Sequence, residues 1–311
     1  MKVLVLMGGT SAEREVSLQS GTAVLEALRN IGYQAEGWDF DPETLDTIQK
    51  SKPDVVFIAL HGKPGEDGTV QGLLDLWGIP YTGSGLATSA ICIDKCLTKK
   101  YLALEGIPTA PYVIIGQNEY ERNSRETCRN LASKLGVPLV VKPPTQGSSI
   151  GTVIIKDSSQ IGPAIEQAFK YDNFVLAEQY IAGSEVTVGI LGNHDHDLQV
   201  LPIIEITSAN EFYDYDSKYT QGKCEHIIPA RIKEDVQHKV NQIAAAAYRL
   251  LRCRGFGRVD FRIDEKGNPF VLEVNTIPGM TAMSLVPDAA QAAGISFEQL
   301  VDRIVKLALE S

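Results

Sequence analysis

Asp260, Glu273 and Asn275, with Arg258 beside them, are the side chains of this sequence best placed by type and spacing to do chemistry. They fall on two runs of alternating residues, Gly257–Ile263 and Phe270–Asn275, on either side of the turn-prone stretch Asp-Glu-Lys-Gly-Asn-Pro. That pattern predicts a β-hairpin. A turn centred between Lys266 and Gly267 sets Asp260 opposite Glu273 and Arg258 opposite Asn275. Val259 then meets Val274, and Phe261 meets Leu272, on an apolar second face. Directly opposed carboxylates repel and need a cation. Arg258 supplies part of that charge, and a hard divalent ion bound by two carboxylates and an amide oxygen supplies more. A solvated face whose charges never meet accounts for the same pattern if the turn is one residue longer or shorter.

Other stretches add chemistry of their own. Lys142-Pro-Pro-Thr-Gln-Gly147-Ser148-Ser149-Ile150-Gly151 combines a lysine with glycines and hydroxyls, a composition that turns backbone N–H groups toward an anion such as phosphate. It is no Walker loop, since GxxxxGK[ST] is absent from the chain, and a plain hairpin turn fits it too. Gly8-Gly9-Thr10-Ser11 does not complete a dinucleotide fingerprint, but Glu13-Arg14-Glu15-Val16-Ser17 puts a carboxylate where a loop meets a helix. That acid is either a ligand contact or a dipole-favoured residue of the first turn. His61-Gly62 ends a buried strand as a substrate contact or a structural histidine. Lys95 opens a linker, as a solvated lysine unless its neighbours give it a task. Phe212–Tyr219 is a polar, aromatic loop able to close over a ligand. Pro278-Gly279-Met280-Thr281 can aim a backbone N–H at a developing oxyanion. His194-Asp195-His196 has the look of a metal pair but sits in a turn among aspartates, and reads as exposed surface.

The elements that must position these residues follow from periodicity. Lys2–Met7, Tyr33–Phe40 and Val55–Leu60 are strands, with helices from about Glu13 or Ser17 to Asn30 and near Val70–Trp77. Such alternation predicts a parallel sheet covered by helices on both faces, with ligands at the carboxyl ends of its strands. A helical stretch, Leu86–Glu105, leads to Gly106-Ile-Pro-Thr-Ala-Pro111, where a second unit begins. There the strands are Tyr112–Ile115, Leu139–Pro143, Thr152–Ile155 and Phe174–Tyr180, with helices about Ser124–Leu135 and Ser159–Lys170. Glu185–Leu191 and Gln199–Ile206 pair around a turn. A polar loop (Ala209–Glu225) and an amphipathic helix, Lys233–Arg252, lead into the hairpin. The closing helix is capped by Ser296, with Gln299 three residues on.

Composition bounds the rest. The 311 residues suffice for two or three domains, and 44% hydrophobic with 22% charged residues is ordinary for a globular protein. A formal charge of −10 argues against nucleic acid or an anionic membrane as partner. Five cysteines without CxxC spacing read as free thiols of a reducing compartment, and no run is long enough to cross a bilayer. The expectation is a cytoplasmic protein.

Read together, these blocks resemble the ATP-grasp superfamily, and within it the D-alanine–D-alanine ligases. The resemblance runs from Gly8–Gly21 through Ala59–Gly72, Pro80–Gly85, VKPPTQGSSIG, FYDYDSKY, GFGRVDF and LEVNTIPGMTAMSLVP to the last helix. It implies an α/β fold, α+β in its ATP-binding part, in three domains. These are an N-terminal parallel-sheet substrate domain (1–94), a central ATP-grasp subdomain (95–180) and a C-terminal one (181–311). It implies ATP and two Mg2+ ions, for which Mn2+ can stand in, and two D-alanines joined through a D-alanyl phosphate for peptidoglycan. Homodimers are also implied.

Residue by residue, the resemblance gives Glu15 the first substrate's ammonium and sets His61 near its carboxyl end. Glu15, Ser148 and Tyr219 resemble a hydrogen-bonded triad that anchors closed loops, and Lys95, Lys142 and Lys218 match phosphate-binding lysines. Ser149 belongs to the phosphate loop and Leu272 to the nucleotide site. Glu178, Gln179, Tyr180 and Ile181 look like the segment pairing with adenine, and Glu185 like the ribose acid. Asp260, Glu273 and Asn275 match the metal ligands. Arg258 and the Gly279 N–H match the oxyanion hole, which reserves Arg258 for the intermediate, while Ser284 and Leu285 match the binders of the second carboxylate.

Arg262 departs from the family by standing where relatives place an apolar residue against adenine, and its guanidinium is positioned to stack on the base. Thr145-Gln146 replaces a charged pair of some relatives, and Tyr219 favours D-alanine over D-lactate as second substrate. D-alanine–D-serine and D-alanine–D-lactate ligation, and a non-catalytic ATP-binding relative, are the alternatives. The last is disfavoured by the joint presence of lysines, metal ligands and Arg258.

Overall fold

The computed structural model describes residues 1–193, 198–208 and 224–310. The expected placements of His194, Asp195 and His196, and of Lys218 and Tyr219, lie outside them. Among the described residues the strands are β1 (Lys2–Met7), β2 (Gln34–Asp39), β3 (Val55–Ile58), β4 (Tyr112–Gly116), β5 (Leu139–Lys142), β6 (Val153–Ile155), β7 (Phe174–Gln179), β8 (Ser184–Leu191), β9 (Gln199–Val200), β10 (Ile204–Ser208), β11 (Cys224–Ile227), β12 (Phe256–Ile263) and β13 (Pro269–Asn275).

They form three sheets. The first, β2-β1-β3, is parallel, as the strand–helix alternation predicts. Val3–Met7 of β1 and the whole of β3 are apolar and buried because both faces are covered. Val3, Val5 and Phe57 pack under the helices Arg14–Asn30 and Phe297–Leu309, while Leu4, Leu6 and Ile58 pack against Ile48, Val70 and Leu74 on the opposite side. The helix Arg14–Asn30 approaches β1 closely at Gly21, where a Cβ would lie 2.4 Å from that of Met7. The helix Leu45–Ser51, which contributes Ile48, is missing from the sequence reading; its seven residues are too few to show a period.

The second sheet, β4-β7-β5-β6, is antiparallel and covered on one face by the helices Gln117–Leu135 and Ile161–Ala168. The third, β11-β10-β8-β12-β13 with β9 on β8, has the helix Glu234–Leu250 across one face. The stretch Leu86–Glu105 is two helices, Leu86–Ile93 and Lys95–Leu104. Asp94 breaks it by accepting hydrogen bonds from the N–H groups of Cys96 (2.8 Å) and Leu97 (3.1 Å).

The hairpin β12–β13 has the expected register at Arg258–Asn275, Val259–Val274 and Asp260–Glu273. Beyond Asp260 it departs from it. A bulge puts Phe261 opposite Val271, not Leu272. The turn is drawn in by Asp264, whose side chain accepts from the N–H groups of Lys266 and Asn268, and one extra residue is absorbed on β13. Val271 and Val274 therefore both face the core, while Leu272 is turned toward the opposite face beside Glu273.

Candidate active site

Two cavities meet at Glu273, which lines both. The first lies between the two antiparallel sheets. Lys95, Lys142, Ser149, Glu178–Ile181, Glu185, Asp260 and Leu272 all border it, so the structure gathers residues that lie up to 178 positions apart (Lys95 to Glu273). The bulge in β13 is what brings Leu272 there.

At one end of this cavity Glu178 is 2% exposed and held between two ammonium groups, Lys142 on one oxygen and Lys99 at 2.5 Å on the other. Burial opposes its ionisation, but the two lysines win and hold its pKa at about 2. The sequence reading assigned Glu178 to the adenine segment and missed its ion pairs. Lys99 was overlooked altogether, although it stands four residues after Lys95 and so on the same face of the helix Lys95–Leu104. Burial lowers the pKa of Lys99, against the pull of Glu178. Lys95 sits at the other end, donating to the Gln146 carbonyl (2.9 Å) and pairing with Glu273 (3.1 Å). Burial would lower its pKa too, but attraction to Glu273 raises it overall.

Arg262 lines the first cavity together with the Glu178–Ile181 segment, its guanidinium held by its edges. It donates to the carbonyls of Ile181 (3.1 Å) and Gly183 (2.8 Å), pairs with Glu185 (3.4 Å) and lies 5.6 Å from the ring centre of Tyr180. It fastens the connection between β7 and β8 to β12. Long polar side chains on a strand reach neighbouring carbonyls more readily than an apolar residue does, and here the carbonyls of a turn are within reach.

The second cavity is bounded by the loop after β1, the end of β3, the Ser148 loop and the segment following β13. Ser148 and Ser149 take left-handed backbone conformations (φ +49° and +59°), which cost about 1–3 kcal/mol each and survive only where the surroundings fix them. The fixing contact corrects an expectation: the Ser148 hydroxyl bonds to the carboxylate of Glu13, not Glu15. Glu13 is the residue just before the helix Arg14–Asn30 and is 8% exposed, with its side chain turned back toward the loop. Glu15 is two residues on, about 200° around the helix, and lies exposed at the cavity's edge.

His61 is buried, with Nε2 3.3 Å from the Ser20 hydroxyl and Nδ1 4.0 Å from Glu66. Glu66, absent from the sequence reading, also accepts the Gly62 N–H (2.8 Å), so it steadies the turn that carries the histidine. Across the cavity, Gly279 packs on Ser284, which stands at the N-cap of the helix Leu285–Ala292. The Ser284 hydroxyl accepts from the Thr281 N–H (3.0 Å) and leaves the helix end, with its partial positive charge, facing the cavity beside Leu285.

Arg258 is not set apart from its carboxylate neighbours, as the sequence reading had it. Its Nε and Nη2 each bond an oxygen of Asp260 at 2.8 Å, and Asn275 donates to the same carboxylate at 3.0 Å. Thr187 donates to it as well. Among the described residues no three His, Cys, Asp or Glu side chains cluster tightly enough to hold a metal ion alone. Two carboxylates and an amide oxygen nonetheless suit Mg2+, which binds through one or two carboxylates and completes its shell with substrate phosphates and water.

Residues 41–84 match the family model described as D-ala D-ala ligase N-terminus, and residues 101–306 match the one described as D-ala D-ala ligase C-terminus. The D-alanine–D-alanine ligase of Moorella thermoacetica is 51% identical over 310 residues, covering 100% of both chains. That of Pelotomaculum thermopropionicum is 49% identical over 312 residues, covering 100% of this chain and 98% of its own. Among solved structures, the D-alanine–D-alanine ligase of Bacillus anthracis complexed with ATP is 38% identical. It superposes with a TM-score of 0.84, covering 100% of this chain and 97% of that one. The VanG D-Ala:D-Ser ligase of Enterococcus faecalis is 32% identical, with a TM-score of 0.83 and 99% of each chain covered.

Proposed function

This chain belongs to the D-alanine–D-alanine ligase family, and we propose on that premise that its two cavities divide one reaction between them. The enzyme is an ATP-dependent ligase of ATP-grasp fold that joins D-alanines for peptidoglycan. The first cavity takes ATP: Glu178–Ile181 hold the adenine edge, Glu185 the ribose, and Lys95, Lys142 and Ser149 the phosphates. The second takes the two D-alanines. The observation that supports this division is Glu273, which borders both cavities, so the proposed phosphate and amino-acid sites adjoin.

The first D-alanine lies with its ammonium at Glu13 and its carboxylate toward the phosphates, near His61. That carboxylate attacks the γ-phosphorus and displaces ADP, and the amine of the second D-alanine then attacks the acyl phosphate formed and displaces inorganic phosphate. A carboxylate is a poor electrophile until phosphate becomes its leaving group, so activation must come first. The amine must arrive neutral, which a closed, dry site favours. Arg258 and the Gly279 N–H receive the oxygen of the tetrahedral intermediate, and the N-terminus of the helix Leu285–Ala292 receives the second carboxylate. Asp260, Glu273 and Asn275 would hold Mg2+, which would draw charge from the transferring phosphoryl group.

The same reading extends to the boundaries 94/95 and 180/181, which fall at the Asp94 cap and between β7 and β8. It extends also to a cytoplasmic homodimer. Among the described residues no helix is long and apolar enough to cross a membrane.

Incubation with ATP, Mg2+ and D-alanine, following phosphate release and weighing the product, tests the proposal. D-alanine-dependent phosphate release with a dipeptide product is expected, and L-alanine should fail. Phosphate release indifferent to D-alanine, with no dipeptide formed, would sink it. Adding D-serine or D-lactate beside D-alanine reveals whether a mixed product competes.

A further inference from the structure

Lys99 is a charged residue of the nucleotide end that lines neither cavity. It is 0% exposed, whereas Lys142, on the other oxygen of the same carboxylate, borders the ATP cavity. A buried lysine is costly, and a structure keeps one only where its charge is answered. Here it is answered more than once. Lys99 pairs with Glu178 and donates to Thr109 Oγ1 (2.5 Å), whose hydroxyl donates to the carbonyl of Val271 (2.8 Å) on β13. It also lies 5.6 Å from the ring centre of Tyr112. These partners pin it where it stands.

Lys99 and Lys142 share Glu178, while Lys95 pairs with Glu273 and is attracted by Glu66 as well. Lys142 is the ammonium group among these three that both shares its carboxylate and reaches the cavity, so an incoming phosphate draws on it. Were Glu178 its sole property, moving Lys142 toward phosphate would strand a buried carboxylate, at a cost of several kcal/mol. Lys99 removes that obstacle.

We propose that Lys99 is the standing counter-ion of Glu178 and a positioning residue for ATP, because it lets Lys142 turn from the carboxylate to the phosphates without leaving a bare buried charge. The inference rests on the assignment of the first cavity to ATP. It separates phosphate recognition from adenine recognition, which gives it a test that a merely structural role would not pass.

The measurement is the affinity of the full chain for ADP and for adenosine, by calorimetry or competition, expressed as a ratio. Lys99→Met, close to lysine in length, leaves Lys142 as the only counter-ion of Glu178, and the ratio should fall about tenfold, the size of a buried charge-pair coupling of ~1.4 kcal/mol. In Glu178→Gln the carboxylate no longer holds Lys142, and the ratio should rise. In the double variant the ratio should return at least to the wild-type value. Equal loss of ADP and adenosine affinity in Lys99→Met would overturn the proposal and mark the residue as structural. If Lys99→Met does not fold, Lys99→Gln, which removes the charge but keeps a donor for Glu178 and Thr109, decides in its place, and an unchanged ratio overturns the proposal. A wild-type protein that binds neither ligand refutes the ATP assignment itself, an outcome distinct from both.

Discussion

Glu13 and Glu15 are identical in chemistry and two positions apart, and only the folded backbone tells them apart. Glu13 stands before the first helical turn with its carboxylate on Ser148, while Glu15 is exposed. A charge-assisted hydrogen bond to such a carboxylate is worth about 1.5–3 kcal/mol, so Glu13→Gln should lower kcat/KM for D-alanine by roughly 10- to 100-fold. Glu15→Gln should stay within about threefold, the range of a surface change of ~0.5 kcal/mol. Steady-state kinetics on the two variants checks both, and the reverse ranking would restore Glu15. The sequence could supply the motif but not the side-chain direction, which depends on where the helix begins.

Glu178 carries a second expectation. Its folded pKa of about 2 lies below its ordinary 4.5, so it binds fewer protons folded than unfolded between those values. Its ion pairs therefore stabilise the fold in full above about pH 4.5, and that contribution fades as pH falls toward about 2. Glu178→Gln should melt lower than wild type by a constant margin above about pH 5, and the margin should close on acidification. A margin that widens toward acid would contradict the ion-pair geometry.

At the scale of elements, what the sequence made legible was local. Ser296 and Gln299 form the capping box that their spacing predicts, with the Gln299 N–H donating to Ser296 Oγ (3.2 Å) and the Ser296 N–H to Gln299 Oε1 (2.9 Å). Ser296→Ala should cost about 1 kcal/mol, which for a chain of this size is a fall of roughly 2 °C in Tm, without a change in KM for ATP. Scanning calorimetry beside a kinetic assay tests it; the cap lies on a helix that packs on the first sheet, far from the phosphates. The hairpin register was legible as far as Asp260 because the alternation there is strict. It failed at Phe261 because a bulge leaves no mark in composition: Leu272 suits either face. Likewise β11 and the helix Leu285–Ala292 are short, and the latter is set by its packing under β8 rather than by a long period.

At the scale of the whole molecule, the parallel first sheet and the β12–β13 hairpin were readable from patterning, but the antiparallel pairing of the second sheet and the meeting of the sheets' loops were not. Ser148 and Glu13 are 135 residues apart, and their contact is the place where the second sheet's loop rests on the first sheet's. Gly147 makes that seat possible. A Cβ there would lie 2.6 Å from Glu13 Oε2, the movable end of a side chain, so an alanine displaces the carboxylate and leaves the backbone alone. Gly147→Ala should therefore keep its Tm within about 2 °C, since no core packing is lost. It should keep ATP affinity within about threefold, while the KM for D-alanine rises at least ~10-fold, because the ATP cavity is built from the two antiparallel sheets and the amino-acid cavity needs the first. Nucleotide binding by calorimetry, set beside D-alanine-dependent phosphate release, separates the two effects. A loss of ATP affinity with an unchanged KM for D-alanine would mean that the loop serves the nucleotide alone, and that the contact between Ser148 and Glu13 does not join the two cavities into one site.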